Sequence, residues 1–282
     1  MAFDAFSPYE VIIKSKGDRD PLFDAHGAVL DYGLLELLID DAARRGKSAQ
    51  SGDVARALDM WVAEQFRRAK LPEDSIWPRL VMPRALDASI LSFIGKMPPA
   101  LAEQCCASLT ERYRSSSVSV MGAAYSKQVD VGMATWPSGP ELLVSTKTMG
   151  SSFGKNMANR FEEAYGDAKN LKSRNPFAAT GFAFLVHADI LNERSSYLKA
   201  LAMLEKLQAE QDVYDAVCLI VADWSSEGAV LMHDEPSIPA SLSAERFFTE
   251  LVHIVLMHAA TDAYPEARAQ FAQFVHMKSH GE

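Results

Sequence analysis

The chain has 282 residues, and 48% of them are hydrophobic, which excludes wholesale disorder and supplies enough apolar side chains for a sizeable core. Its formal net charge of −9 disfavours a protein that coats nucleic acid by charge alone, but it allows an enzyme with a local basic cleft. The three cysteines show no metal-ligand spacing, which indicates a reduced, cytoplasmic protein. Neither a signal peptide nor an apolar run of about 20 residues is found, so no membrane association is predicted.

Residues 1–95 are predicted to form a mostly helical N-terminal region. Apolar residues at helical spacing predict helices over 32–45 and about 52–70, and a short strand is predicted at 11–13. Because such apolar stripes are usually core, the region is interpreted as a packing or partner-binding segment without chemistry. The alternative is a clamp that helps to hold a substrate.

Residues 96–282 are predicted to form the main domain. A helix begins near Pro99, and three strands, a long helix, and then alternating strands and helices follow it. The strongly apolar runs at 181–188 and 216–222 are typical of strands that are covered on both faces. This order predicts an α/β fold with an αβββαβ core, a mixed central sheet flanked by helices, and further helices at the C-terminus.

A predicted hairpin in this domain carries an acid and a lysine. Asp130 lies between Val129 and Val131, and strand alternation predicts that it faces away from these two buried valines. On the second strand, alternation places Ser145 and Lys147 on one face. Mg²⁺ prefers carboxylate oxygens, and a lysine beside the metal can orient or deprotonate a water molecule. The hairpin therefore predicts a metal site for phosphodiester hydrolysis.

These residues resemble the motif of the PD-(D/E)XK nuclease superfamily, which includes many type II restriction endonucleases. The resemblance covers residues 99–222 and depends on Asp130, on the tripeptide at 145–147 and on the helix that follows. Two positions depart from the family pattern: Val129 replaces a common proline, and Ser145 stands where the second acid is expected. One branch of the family, which cuts CCGG-containing sites, has the same serine and takes the missing acid from the following helix.

That helix offers Glu162 and Glu163. On a helical wheel centred near Phe161, Glu162 lies at the border of the apolar stripe, so it is chosen as the metal ligand and Glu163 is the second candidate. The resemblance then implies that Asp130 and Glu162 bind Mg²⁺. It also implies that Lys147 positions or activates the attacking water, and that Ser145 fills the vacated acid position, touching a metal-bound water.

The first half of the same helix carries donors suited to phosphates or base edges, and Lys155, Asn159 and Arg160 are predicted to bind DNA. Glu103 is a further candidate acid near the site. The resemblance implies a Mg²⁺-dependent, sequence-specific endonuclease of the type II restriction class that acts on double-stranded DNA. A homodimer is predicted, because cutting both strands of a palindrome needs two sites related by two-fold symmetry.

Two alternatives remain open on the sequence. The first is an effector nuclease of another antiphage system, which would use the same residues. The second is a non-catalytic DNA-binding or scaffold protein on a decayed nuclease fold, in which Ser145 marks lost activity.

Overall fold

The computed structural model describes residues 4–45, 52–112, 118–232 and 238–278. The helices of these segments are α1 (Ser7–Ser15), α2 (Tyr32–Arg45), α3 (Asp53–Arg68), α4 (Ala88–Gly95), α5 (Pro99–Arg112), α6 (Phe153–Arg174), α7 (Arg194–Ala209), α8 (Ala244–His258) and α9 (Pro265–Lys278). The strands are β1 (Ile76–Trp77), β2 (Val118–Met121), β3 (Ser126–Val129), β4 (Val131–Thr135), β5 (Gly139–Met149), β6 (Ala179–His187), β7 (Ala216–Ser225) and β8 (Gly228–Leu231).

Six strands form one mixed sheet in the order β1-β4-β5-β6-β7-β8. β4 and β5 form an antiparallel hairpin, and β5, β6 and β7 run parallel because α6 and α7 cross over between them. β1 and β8 are antiparallel edge strands, and β2 pairs with β3 in a separate two-stranded sheet. The predicted α/β class with a mixed sheet is therefore confirmed.

Helices cover both faces of the central sheet. On one face, Val144 and Leu251 belong to a cluster that joins the sheet to α2, α3 and α8. On the other face, Phe182 and Tyr197 belong to a cluster with α6 and α7. Because neighbouring residues of β6 and β7 enter different clusters, both faces of these strands are apolar, which explains the unbroken hydrophobic runs seen in the sequence.

The N-terminal segment packs directly on this sheet. α2 and α3 share the larger apolar cluster with it, and β1 extends its edge beside β4. The strand predicted at 11–13 is wrong. This stretch belongs to α1, in which Tyr9 and Ile13 are both buried and lie about one helical turn apart. The domain boundary at residue 95 stays a prediction.

The predicted strand through Asp130 is interrupted at that residue. β3 ends at Val129, and β4 begins at Val131. Val129 enters a small cluster with Trp77 and Leu143, whereas Val131 enters the larger cluster on the opposite face of the sheet. The expectation that the two valines share a face is therefore wrong, because the chain bends at Asp130 as it leaves the two-stranded sheet for the central one.

Gly132 of β4 lies where an aromatic ring and a backbone carbonyl approach closely. A Cβ atom there would collide with the Trp77 ring and lie 2.6 Å from the Leu142 carbonyl oxygen. We therefore expect Gly132→Ala to lower the free energy of unfolding by about 1–3 kcal/mol in urea titrations, the usual cost of overpacking. Gly166→Ala is the control, since a Cβ at Gly166 of α6 meets no atom within 4 Å and alanine is the better helix former. Equal losses in both variants would contradict this account.

Candidate functional site

Asp130 and Lys147 meet at the bend between β3 and β4. The Lys147 Nζ lies 3.8 Å from the Asp130 Oδ2, and the same carboxylate oxygen accepts a hydrogen bond of 3.0 Å from the Thr146 N–H. The structure thus brings together the acid and the lysine that the sequence places on one hairpin. Their catalytic and metal-binding roles stay predictions.

The surroundings of Asp130 disfavour an isolated negative charge. Burial is the largest influence and raises the pKa of the Asp130 carboxyl above its usual value. Lys147, the Thr146 N–H and Lys127 lower this pKa, and the negative charge of Glu163 raises it again. Because burial prevails over the nearby cations, a further positive charge beside Asp130 would stabilise its ionised form.

α6 presents Glu163, not Glu162, to this pair. Glu162 is exposed, whereas Glu163 is half-buried and forms ion pairs with Lys127 at 3.7 Å and with Arg160 at 3.0 Å. Burial raises the pKa of the Glu163 carboxyl. Lys147, Arg160 and Lys127 lower it by more, so its net shift is downward.

The orientation predicted for Glu162 is therefore wrong. The buried face of α6 is centred near Ala164, not near Phe161, which is only partly buried. On a wheel of about 100° per residue, Glu162 lies about 160° from Ala164 and Glu163 about 100°. Glu163 thus lies at the border of the buried face, and Glu162 lies on the exposed side. Which of the two glutamates binds a metal stays a prediction.

A third acid comes from α3, in the segment that was interpreted as carrying no chemistry. Asp59 is buried, and its Oδ1 accepts a hydrogen bond from the Thr146 hydroxyl. Burial and then the nearby charge of Asp130 raise the pKa of Asp59 to about 8. The signal available in the sequence was an acid between Leu58 and Met60, within the apolar stripe of a helix.

Ser145 is buried beneath α6. It is 6% exposed and lies in register with Phe182 of β6, against which the Tyr214 ring packs with 5.4 Å between the ring centroids. The position expected for an acid thus holds a small buried hydroxyl group. Glu103, the other candidate acid, is exposed on α5.

The three predicted DNA-binding residues, Lys155, Asn159 and Arg160, are all exposed on the first half of α6. Arg160 donates to the Glu163 carboxylate at 3.0 Å, so this polar surface adjoins the acids. The contact with DNA stays a prediction.

The acids at this site suit Mg²⁺ in their chemistry. Within the described segments, no three His, Cys, Asp or Glu side chains form a ready-made metal-binding group. Mg²⁺ does not require one, because it is commonly bound by one or two carboxylates together with waters and substrate phosphates. Asp130 and Glu163 supply two such carboxylates, and the raised pKa of Asp130 fits a position where a cation offsets a partly buried charge.

Comparisons with protein-family models, with curated proteins and with solved structures find no match. In the described part of the chain, none of the helices combines the length and the apolar character that crossing a membrane requires. The function is therefore inferred from the geometry of the site.

The raised pKa of Asp59 predicts how stability depends on pH. A carboxyl whose pKa rises from 3.8 to about 8 on folding binds its proton more tightly when folded, so stability falls as the pH increases across that interval. Asp59→Asn keeps an acceptor for the Thr146 hydroxyl and cannot ionise. We therefore expect it to raise the free energy of unfolding more at pH 8 than at pH 5, as measured by urea titration.

Glu205→Gln, at an exposed position of α7, is the control and should leave the pH dependence of stability as in the wild type. An Asp59→Asn variant whose stability changes equally at both pH values would show that Asp59 does not titrate as described.

Proposed function

We propose that the protein is a Mg²⁺-dependent endonuclease that hydrolyses phosphodiester bonds in double-stranded DNA. The observation that supports this most directly is the approach of Asp130, at the bend before β4, to Lys147 of β5, with Glu163 of the next helix interacting electrostatically with both. The succession of hairpin, helix and parallel strand β6 also supports a restriction-endonuclease-like core, in which the second acid has moved from the strand to α6.

In this proposal, Asp130 and Glu163 would hold the metal ion, with Asp59 as a buried acid beyond them. When bound, the metal supplies charge neutralisation at the scissile phosphate and a more acidic water. The Lys147 ammonium can orient the attacking water or stabilise the negative charge that develops on the phosphate. Lys127 of β3 forms ion pairs with two acids of α6, Glu163 at 3.7 Å and, more closely, Asp167, so it supplies positive charge on the side of α6 that carries Glu163.

Lys155, Asn159 and Arg160 would contact the DNA. They are exposed on α6 and adjoin the acids through the Arg160–Glu163 ion pair, so a backbone phosphate bound there would lie close to the hydrolytic groups. The net charge of −9 makes such a local basic surface more important, because the whole chain does not attract DNA.

Among nucleases, we favour a type II restriction enzyme that acts in the cytoplasm as a homodimer, since symmetric cleavage of a palindrome needs two equivalent sites. An effector nuclease of another antiphage system would use the same residues. Salt-sensitive DNA binding without cleavage of any substrate would instead support a binding protein on a decayed nuclease fold.

Loss of the site's charged groups should abolish cleavage and spare DNA binding. We expect Asp130→Asn, Lys147→Ala and Glu163→Gln each to slow Mg²⁺-dependent cleavage of plasmid and phage DNA by about a hundredfold or more, because each removes a charge that acts in the transition state. EDTA should stop cleavage by the wild type.

Glu162→Gln is the matched comparison, because it makes the same change one residue away at an exposed position. Cleavage that is lost in Glu162→Gln and retained in Glu163→Gln would return the metal-binding role to Glu162. Full activity in all four variants would exclude this site altogether.

Lys155→Ala should weaken binding to DNA of any sequence. Loss of one phosphate contact is expected to reduce the slope of log affinity against log salt by about 1. Fluorescence anisotropy with Ca²⁺ in place of Mg²⁺ measures this slope without cleavage. Lys206→Ala, at an exposed position in the second half of α7, is the control, and an equal effect in both variants would argue against a DNA-binding surface on α6.

A further inference from the structure

The ammonium group of Lys127 lies between two acids of α6. Its Nζ atom is 3.7 Å from the Glu163 Oε1 and is in closer contact with the Asp167 Oδ2. The two acids are four residues apart, so they lie about one turn apart on one side of the helix. One lysine of β3 is therefore shared between a proposed metal ligand and an acid that has no part in the proposed chemistry.

Asp167 is the more firmly held of the two acids. Its side chain is 9% exposed, against 38% for Glu163, and its Oδ1 accepts a hydrogen bond of 3.1 Å from the Tyr125 hydroxyl. A buried carboxylate needs a cation and hydrogen-bond donors, because an unpaired buried charge is strongly destabilising. Lys127 and Tyr125 supply both, so the ammonium is tied to Asp167 more than to Glu163.

The β2–β3 hairpin that carries Lys127 is fixed to α6 beside this ion pair. The Asn170 Oδ1 accepts hydrogen bonds from the N–H groups of Ala124 and Tyr125, at 2.8 and 3.2 Å. The Nδ2 of the same buried side chain donates to the Tyr125 carbonyl oxygen at 2.9 Å. The backbone near Lys127 is therefore held in place, and the ammonium can change partner by rotation of its own side chain.

The charge of Lys127 acts on both proposed metal ligands. It lowers the pKa of Asp130 and that of Glu163, since a cation stabilises an ionised carboxylate. The same charge opposes the entry of Mg²⁺, because like charges repel at short range. The strength of metal binding therefore depends on where the ammonium is held.

Given the proposed function, on which this inference rests, we propose that Asp167 is a positioning residue that sets the metal affinity of the site. It holds the Lys127 ammonium away from Glu163 and so leaves the Glu163 carboxylate free for a metal ion. Without Asp167, the ammonium would turn to Glu163 and compete with the metal. Without Lys127, the metal would meet one positive charge less. These two losses have opposite effects on metal binding, whereas a purely structural ion pair would weaken binding when either partner is removed.

Mn²⁺ binding to the purified protein without DNA, measured by electron paramagnetic resonance, tests these opposite effects. The titrations are made at pH 8, where protons compete less with the metal. We expect Asp167→Asn to weaken Mn²⁺ binding about tenfold or more, as is typical when a group behind a metal ligand is lost. We expect Lys127→Gln to strengthen it about fivefold or more, because a repelling charge is removed. Asp130→Asn identifies the site and should lose this binding.

Lys172 and Asp215 provide matched controls. The Lys172 Nζ lies 2.7 Å from the Asp215 Oδ2, and Lys172 is in the last turn of α6. Asp215→Asn and Lys172→Gln make the same changes of charge and also break a lysine–aspartate ion pair. Both should keep the wild-type Mn²⁺ affinity within about twofold, because nine residues of helix, about 14 Å, separate Lys172 from Glu163 and salt screens charges over about 8 Å.

A double variant separates movement of Lys127 from loss of the Asp167 charge itself. If Asp167 acts through Lys127, adding Asp167→Asn to Lys127→Gln should change the Mn²⁺ affinity by about twofold or less. A loss as large as in the wild-type background would overturn the role, since Asp167 would then act without Lys127. If Asp167→Asn does not fold, Lys127→Gln decides, and unchanged or weaker Mn²⁺ binding in this folded variant overturns the role.

A crystal structure of metal-free Asp167→Asn would show the movement itself. We expect the Lys127 Nζ to lie within about 3 Å of the Glu163 carboxylate, the usual length of a charge-assisted hydrogen bond. An ammonium that stays in its wild-type position would contradict the role of Asp167 as its anchor.

Cleavage assays distinguish failure of this role from failure of the proposed function. If the wild type cuts DNA, the Mg²⁺ concentration for half-maximal rate should rise in Asp167→Asn and fall in Lys127→Gln. An unchanged requirement in both variants would overturn the role while the proposed function stands. If the wild type binds Mn²⁺ but cuts no DNA under any condition, the proposed function fails and the Mn²⁺ measurements alone decide the role. A wild type that neither cuts DNA nor binds Mn²⁺ overturns both.

Discussion

The hydrogen bond from the Thr146 N–H to the Asp130 carboxylate determines the layout of the site. Pairing of β4 with β5 ends at Val131 and Val144, yet β5 continues to Met149. Beyond Val144, the Thr146 N–H donates its hydrogen bond to the Asp130 carboxylate, where in a longer hairpin a carbonyl oxygen of the neighbouring strand would accept it. The chain can therefore bend at Asp130, and the edge of β5 beside Lys147 is left open to other groups.

Burial of negative charge is the main electrostatic cost of this arrangement. Asp59 and Asp130 both have raised pKa values, mainly because they are buried, and the charge of Asp130 raises the pKa of Asp59 further. The hydroxyl of Thr146 donates to Asp59 and its N–H donates to Asp130, while Lys147 lies near both acids and Lys127 near Asp130. An acid pair held in this way is costly when both members are ionised.

The sequence was sufficient for the features that depend on local pattern. Unbroken apolar runs identified β6 and β7, and strand alternation on either side of a turn identified the hairpin. The bend at Asp130 was not predictable, because the alternation of Val129 and Val131 reads as one continuous strand until the partner strands are known. Glu163 was ranked second, after Glu162, because the buried face of α6 depends on which neighbours cover it, and Phe161 is at its border.

Asp59 was missed for a different reason. Its interaction with Thr146 spans 87 residues of sequence, so no local pattern could connect the two. An acid within an apolar stripe was the only trace. The hydrogen bond from the Tyr214 hydroxyl to the Ala164 carbonyl oxygen is equally non-local, since it spans 50 residues of sequence.

The edge strand β1 and the acid on α3 have a consequence for how this protein can be rearranged. The first part of the chain adds the edge strand β1 to the sheet and places Asp59 near Asp130. Replacing this segment with a different sequence would therefore change the surroundings of Asp130. The segment that carries α3 and the sheet therefore share both an apolar core and the acids of the site.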